Sequence, residues 1–391
     1  MAEKNIVLLG ATGSIGESTL KVARGHPERV KLVGIAANSR YEELASIARE
    51  FGVKEVALFD RKAAAAARTS GLFPEGTRIH EGPEGLVHLA TLDSANLVVM
   101  AVVGTLGLHP ALAAIRAKKT LALASKEILV LAGKFVMAEA VRLQVPIVPL
   151  DSEHNAIFQC LHAEPHRHVD RLILTASGGQ FRDATLEQMR LVTPAQALKH
   201  PNWNMGPKIT VDSSTMANKG LELIEARWLF DLPQERIDIV VHPQSIIHSM
   251  VQFIDGSILA QLSPPSMTFA IQHCIFYPDR AVGVVPTLDF SQVMRLDIRP
   301  PNYEKFPCLQ LARNASSTAG IAPAIFNAAN EIAVAAFLKD KIPFLGIPSI
   351  IEQTLESIPA REPTDLDDVL AADAEARIKA TESIGALALT A

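Results

Sequence analysis

Asp151, Ser152, Glu153 and His154 follow an apolar run, 145–149, that reads as a buried strand. Two carboxylates at the carboxyl end of a strand stand where open α/β sheets form their ligand clefts. A hard divalent cation such as Mg²⁺ or Mn²⁺ takes oxygen ligands and tolerates open, water-filled positions, but two carboxylates fix it poorly. A third candidate lies in 208–225, read as a strand that turns into a helix at an Asp/Ser cap. There Asn218 and Glu222 are four apart and Lys219 and Glu222 three apart, so all three share one helical face. An ordinary solvated helical pair accounts for that spacing equally well.

A second constellation is Gly10-Ala11-Thr12-Gly13-Ser14-Ile15-Gly16, directly after the first apolar run and opening a helix. Glycines there allow a tight turn and close backbone approach, so a helix N-terminus can receive a pyrophosphate; a turn that merely needs glycine is the plainer alternative. The next strand ends Ala36-Ala37-Asn38-Ser39-Arg40, without the acid that holds a free ribose 2′-hydroxyl, which favours NADPH. Thr175-Ala176-Ser177-Gly178-Gly179 follows another apolar strand and offers a hydroxyl and accessible N–H groups, an anion nest. Residues 200–206 read as an irregular loop carrying Trp203, one of two tryptophans, suited either to closing over a substrate or to simple packing. His162, His166 and His168 match no metal-ligand spacing.

The elements that position these groups alternate over the first 150 residues. Runs at 6–9, 31–36, 55–59, 97–101, 120–124 and 145–148 read as strands separated by amphipathic helical sequence, the alanine run 63–67 among it. Such alternation means βαβ units and a parallel sheet covered on both faces, a Rossmann-like domain over 1–150. Beyond 151 the pattern changes: 245–254 and 257–262 flank Asp255-Gly256, a hairpin signal, so an α+β domain with an antiparallel sheet is expected over 151–283. Proline-bearing 284–304 reads as a linker, and 308–313, 322–338, 347–358 and 369–387 as a C-terminal helical bundle over 305–391. The fold class is α/β.

Composition narrows the function. The 391 residues are 48% hydrophobic and 20% charged, with a net charge of −5 and no block of basic residues, which argues against nucleic acid as a partner. No apolar stretch approaches the roughly 20 residues of a membrane span, and Met1 to Asn5 leads straight into a strand, so no membrane association and a cytoplasmic location are expected. Cys160, Cys274 and Cys308 are spread widely and read as free thiols.

Taken together, the chain closely resembles the 1-deoxy-D-xylulose 5-phosphate reductoisomerase family, nearly end to end. The resemblance rests on GATGSIG at 10–16, SKE at 125–127, LDSEHNAIFQC at 150–160, SGG at 177–179, HPNWNMG at 200–206, VDSSTMANKGLELIEA at 211–226, HPQSIIHSMV at 242–251 and NAANEIAVAAFL at 327–338. It implies an NADPH- and divalent-metal-dependent enzyme of isoprenoid-precursor synthesis, a homodimer acting on a sugar phosphate. By the same resemblance Asp151, Glu153 and Glu222 bind the metal. Ser152, Ser177, His200, Ser213, Asn218 and Lys219 hold the substrate; Lys126 sits near the reacting carbons; and Trp203 and Met205 belong to the cover. Thr12, Gly13, Ser14, Ile15, Asn38, Ser39, Arg40, Ser125, Glu127 and Gly206 line the NADPH site, while Lys126, Glu153 and Lys219 act in catalysis. Family members often carry Gly-Arg/Lys-Asn at 38–40, so the basic residue here stands one position later. Many also have Asn for Ser125 and Pro for Gln180. Two other readings stay open: a cysteine-dependent semialdehyde dehydrogenase, which shares a glycine turn, and a catalytically silent dinucleotide sensor.

Overall fold

The computed structural model describes residues 3–161, 164, 166–200, 202–203 and 205–390, the side chains of His166 and of 386–390 excepted. His162 and the His166 side chain, weighed above for metal spacing, therefore lie outside the described residues. In chain order the elements are β1 (Lys4–Leu9), α1 (Ser14–Gly25), β2 (Val30–Ala37), α2 (Tyr41–Phe51), β3 (Glu55–Leu58), α3 (Arg61–Thr69), β4 (Arg78–Glu81), α4 (Gly82–Ala90), β5 (Leu97–Met100), α5 (Leu108–Arg116), β6 (Thr120–Leu123), α6 (Glu127–Leu143), β7 (Ile147–Pro149) and α7 (Ser152–Cys160). They continue with β8 (Val169–Ala176), α8 (Leu186–Arg190), α9 (Pro194–Ala197), α10 (Pro207–Thr215), α11 (Ala217–Leu229), β9 (Ile237–Val241), β10 (Ile247–Phe253), β11 (Ile258–Leu262), α12 (Met267–Phe276), α13 (Pro307–Thr318), α14 (Ala322–Phe337), α15 (Gly346–Ser357) and α16 (Leu366–Thr390). They form two compact units. One holds residues up to Ile128, Val136–Asn155 and Ser266–Leu288; the other holds Leu129–Phe135, Ala156–Pro265 and Asp289 onward.

The first unit contains a seven-stranded, wholly parallel sheet in the order β4-β3-β2-β1-β5-β6-β7. The β1 residues Ile6, Val7, Leu8 and Leu9 have no exposed surface, as a strand covered by helices on both faces requires. Successive strands step outward from β1 in both directions, so the switch point lies between β1 and β5. Asp60 caps α3 by accepting from the Ala63 N–H at 2.7 Å, which starts the alanine run as a helix. Sequence reading missed β4, because Arg-Ile-His-Glu is polar; it survives as an edge strand paired on one side only, with β3. Although it follows the second sheet in sequence, α12 packs within this unit. Phe276 meets the His26 ring edge-on with centroids 4.9 Å apart, and Lys4 Nζ donates to the Tyr277 carbonyl at 3.1 Å.

The second unit contains a four-stranded sheet, β11-β10-β8-β9. The expected hairpin forms between β10 and β11, with Gly256 at φ 85° in its turn. The sheet is not purely antiparallel: β8 and β9 run parallel, because α8 to α11 intervene between them. Leu172 and Leu174 of β8 share a core with Leu221 and Ile224 of α11 and with Phe326 and Phe337 of α14. After Leu288, the 284–304 segment has no helix or longer strand among the described residues, but Arg299 pairs with Val241 through two backbone bonds of 2.8 and 2.9 Å.

One element corrects the sequence reading. Residues 208–212 are helical, not a strand, and no Asp/Ser cap begins the following helix. The β-branched Ile209, Thr210 and Val211 suggested a strand, but Pro207 at the first helical position favours α10, and the hydroxyls within it are satisfied by carbonyls of the preceding turn. Thr210 Oγ1 donates to the Gly206 carbonyl at 2.8 Å and Ser214 Oγ to the Val211 carbonyl at 2.7 Å. Asp212, tied to Lys208 at 2.9 Å and accepting from Asn330 at 2.8 Å, adds tertiary support that local propensity cannot register. The break comes at Met216, whose φ of 62° ends α10 in the left-handed region.

Candidate active site

In the first unit the expected cofactor residues line up along the carboxyl edge of the sheet. Asn38, Ser39 and Arg40 follow β2; Thr12 to Ile15 follow β1; Ser125, Lys126 and Glu127 follow β6; Asp151 and Glu153 follow β7. With strands ~4.8 Å apart, the glycine turn and the carboxylates stand roughly 14 Å from each other across the sheet. Two of the three glycines are demanded by the fold itself. A Cβ on Gly10 (φ 101°) would lie 2.3 Å from the Ala101 carbonyl oxygen, and one on Gly16 2.3 Å from that of Ala11. Gly13 is different: its Cβ would meet nothing closer than 3.5 Å, so the protein alone does not explain it. Arg40 folds back over this turn, donating to the Thr12 carbonyl and pairing with Glu43 at 3.0 Å. Val103 and Leu106, after β5, are exposed beside the switch point; sequence reading did not single them out.

The end of β7 is held rigidly. Asn155 Nδ2 donates to the Pro149 carbonyl at 3.0 Å, and Cys274 Sγ donates to the same oxygen at 3.0 Å. Asp151 therefore starts from a fixed backbone. Lys126 Nζ is 2.5 Å from Asp151 Oδ2, and the wholly buried His154 presents Nδ1 3.9 Å from Oδ1. Burial alone would raise the Asp151 carboxyl, but the Lys126 charge and the His154 contact outweigh it and hold the group well below its usual range. Ser152 Oγ donates to Glu153 Oε2. Neither His154 nor Asn155 was weighed as a site residue, although both stand in the quoted LDSEHN stretch.

In the second unit Ser177, His200 and Ser213 come together. His200 Nδ1 accepts from the backbone N–H groups of Asn202 and Trp203 at 3.1 and 3.0 Å. The neutral ring must then carry its proton on Nε2, which faces Ser177 Oγ at 3.2 Å and Ser213 Oγ at 3.1 Å. Burial, with the Arg182 charge nearby, pushes the imidazole down to about 4, so at neutral pH it is an uncharged N–H donor. Gly178 and Gly179 both take left-handed φ values, 80° and 64°, and the Gly179 N–H donates to Ser177 Oγ at 3.2 Å, so the strand end turns back on the serine. Arg182, missed in the sequence, donates to the Ser177 carbonyl at 3.1 Å. Trp203 rests edge-on to the His248 ring with centroids 6.2 Å apart, and Met205 and Gly206 lead into α10.

On α11 the shared face is real, and its Lys219–Glu222 pair is out of water while Asn218 is partly exposed. Asn218 Nδ2 and Lys219 Nζ both donate to the Glu222 carboxylate, and the Lys219 and Glu222 side chains are 4% and 1% exposed. Gly220 seats the helix: a Cβ there would stand 2.4 Å from the Ala312 Cβ of α13. Glu225, fully buried three residues after Glu222, was not singled out, though an acid on the inward face of an otherwise apolar helix is a legible signal.

A doubly wound parallel sheet with a glycine turn at its switch point, joined in one chain to a unit where His200 meets two serine hydroxyls and a carboxylate is buried, is the architecture of a dinucleotide-dependent oxidoreductase. Family models described as 1-deoxy-D-xylulose 5-phosphate reductoisomerase, its C-terminal domain, and DXP reductoisomerase C-terminal domain match residues 6–133, 147–230 and 262–379. The chain is 47% identical over 378 residues to the enzyme of that name from Clostridium perfringens (96% of this chain, 98% of the relative) and 48% identical over 387 residues to that from Burkholderia multivorans (98% and 97%). Among solved structures, the reductoisomerase from Zymomonas mobilis in complex with NADPH superposes with a TM-score of 0.91 at 43% identity, over 98% of this chain and 99% of that one. A DOX-P reductoisomerase in complex with NADPH, fosmidomycin and magnesium gives 0.91 at 40% identity, over 98% and 99%. The chain belongs to the 1-deoxy-D-xylulose 5-phosphate reductoisomerase family.

Proposed function

We infer that Asp151, Glu153 and Glu222 hold the divalent metal in this chain, and that Ser152, Ser177, His200, Ser213, Asn218 and Lys219 hold the sugar-phosphate substrate. The reaction is the NADPH- and metal-dependent rearrangement and reduction of 1-deoxy-D-xylulose 5-phosphate to 2-C-methyl-D-erythritol 4-phosphate, a step of isoprenoid-precursor synthesis. One observation carries the residue assignment. Each unit keeps a carboxylate against a lysine almost out of water: Asp151 and Lys126 are 10% and 6% exposed, Glu222 and Lys219 1% and 4%. Burying such charges costs several kcal/mol per ion unless they are paired, so folding stability alone gives little reason to keep them. All-oxygen donors suit Mg²⁺ or Mn²⁺, and the donor set here fits.

When bound, the dication supplies Lewis acidity and NADPH the hydride. The chain's own residues do the rest. The Ser177 and Ser213 hydroxyls and the His200 Nε2–H grip the phosphate, remote from the reacting carbons, and so contribute positioning energy. Lys126 and Lys219 neutralise anionic oxygens, and Glu153 takes and returns a proton through its carboxylate. The 200–206 segment, with Trp203 and Met205, covers the substrate and excludes water. Thr12, Gly13, Ser14 and Ile15 bind the pyrophosphate; Asn38, Ser39 and Arg40 the 2′-phosphate end; Ser125, Glu127 and Gly206 the remainder of NADPH.

The same proposal keeps a three-part division of labour: a dinucleotide part over 1–150, a catalytic part over 151–283, and a helical part over 305–391 joined by 284–304. It also includes a cytoplasmic homodimer. Ile258 and Leu259, half exposed on the edge strand β11, offer an unpaired ladder to a second copy. Among the described residues no helix is long and apolar enough to cross a membrane. The competing cysteine-dependent reading has no support. Burial pushes the Cys160 thiol up to about 11, Cys308 to about 12, and Cys274 up as well, the opposite of an activated nucleophile.

The deciding experiment is NADPH consumption at about 340 nm with 1-deoxy-D-xylulose 5-phosphate and Mg²⁺ or Mn²⁺. Metal-dependent turnover, lost in Glu222→Gln while NADPH binding persists, is the expected result. Unchanged turnover in that variant would remove the assignment of the ligands.

A further inference from the structure

At the far edge of the parallel sheet a second cluster of metal-ligating side chains forms, apart from every residue assigned above. In the parallel pairing of β3 with β4, Glu55 stands opposite Arg78 and Ala57 opposite His80, so Glu55, Arg78 and His80 project from the same face. Helix α4 lies on that face because it carries glycine where it crosses: a Cβ on Gly85 would sit 3.0 Å from the His80 Cβ. One turn later, His88 comes over His80, with ring centroids 4.1 Å apart. Glu55 Oε2 is 2.9 Å from His80 Nε2 and 3.9 Å from His88 Nε2, and one ligand atom from each of the three lies within 4.8 Å of the others. Ligand atoms bound at ~2.0–2.2 Å to a tetrahedral ion stand roughly 3.3–3.5 Å from one another, a spacing these distances bracket.

We propose that Glu55, His80 and His88 bind one transition-metal dication, Zn²⁺ above all, at a site distinct from the oxygen-lined catalytic centre. Two imidazoles and one carboxylate are a zinc ligand set, whereas Mg²⁺ prefers oxygen donors and would not compete here. The Arg78 guanidinium bonds to Glu55 Oε1, which fixes the carboxylate and leaves Oε2 turned toward the two rings. Burial of both rings and the neighbouring Arg78 charge lower both imidazoles, keeping them in the neutral form a metal requires. Side-chain exposures of 10, 26 and 49% for Glu55, His80 and His88 leave an approach for the ion from solvent. Bound there, the ion ties the polar edge strand β4 to β3 and α4.

The test is calorimetric titration of tag-free, chelator-treated enzyme with Zn²⁺ under saturating Mg²⁺, followed by the visible spectrum of the Co²⁺-loaded protein. One Zn²⁺ per chain is expected, weakened at least tenfold in His88→Ala and in His80→Gln and unchanged in Asp151→Asn, with a tetrahedral Co²⁺ band that both histidine variants lose. His88 lies half exposed on a helix, so its replacement leaves the fold intact. No stoichiometric binding in the unaltered chain, affinity in the two histidine variants equal to that of the unaltered chain, or loss confined to Asp151→Asn would each overturn the site and leave only a hydrogen-bonded Glu–His pair.

Discussion

Lys126 Nζ lies 2.5 Å from Asp151 Oδ2, the lysine in the turn after β6 and the aspartate in the turn after the neighbouring β7. The pair is formed by sheet order, since β6 and β7 are hydrogen-bonded neighbours that place 126 and 151 side by side. Asp151→Asn removes a proposed ligand and the carboxylate charge that faces Lys126. Turnover should fall by roughly 10²-fold or more. The NADPH dissociation constant, read by fluorescence, should stay essentially unchanged. A parallel loss of both would mean the variant is misfolded.

The same pair sets an acid limit. Asp151's folded value lies below its unfolded one, so its stabilising contribution is present above the unfolded value, about 3.9, and is lost as pH falls through the folded one. Acid-unfolding curves of Asp151→Asn should therefore lack a component below pH about 4. A curve identical to that of the unaltered chain would contradict this.

Gly13 and Gly16 should separate binding from folding. Gly16→Ala drives a Cβ to 2.3 Å from the Ala11 carbonyl oxygen and should cost about 1–3 kcal/mol of stability. Gly13→Ala has 3.5 Å of room and should melt normally, yet lose NADPH affinity at least tenfold. Thermal melts beside cofactor titrations decide this; a destabilised Gly13→Ala would refute it.

Arg40 sits on the glycine turn through the Thr12 carbonyl. If it also meets the 2′-phosphate, Arg40→Ser should raise KM for NADPH about 10- to 100-fold, the value of one charge-assisted hydrogen bond. KM for NADH should hardly move. Equal changes for both would assign Arg40 to packing alone.

For His200 the sign runs with burial. Its folded value near 4 lies below the unfolded 6.5, so the unfolded chain binds the extra proton between them and stability declines as pH falls from 6.5 to 4. Because the ring is only half buried, solvent screening limits this to about 1 kcal/mol or a little more. His200→Asn should flatten the melting temperature over that range and raise KM for the sugar phosphate about tenfold at pH 7.5. An unchanged slope would show that the ring titrates as if in water.

Much of this was legible in the chain. Continuous apolar runs separated by helical sequence specify a parallel sheet, because only a strand covered on both faces tolerates such runs; Ile6 to Leu9 are the clearest case. Gly10 and Gly16, the Asp255-Gly256 turn, and the i, i+3 and i, i+4 spacing around Glu222 are local rules, and each produced the expected local geometry. Residues 208–212 misled because local propensity favoured a strand while Pro207, Asn330 and Lys208 favoured a helix. β4 was invisible because an edge strand needs no hydrophobic run.

By itself, then, the sequence determined the alternation of the buried strands with helices in the parallel sheet, the family, and a set of candidate side chains for chemistry, since periodicity, glycine and charge act over a few residues. Tertiary structure alone decided which of those side chains meet. That Lys126 neutralises Asp151, that His200 points Nε2 between Ser177 and Ser213, and that Glu55 faces His80 and His88 all depend on contacts between residues distant in the chain. Such encounters are set by strand order and helix packing, and no local window of residues encodes them.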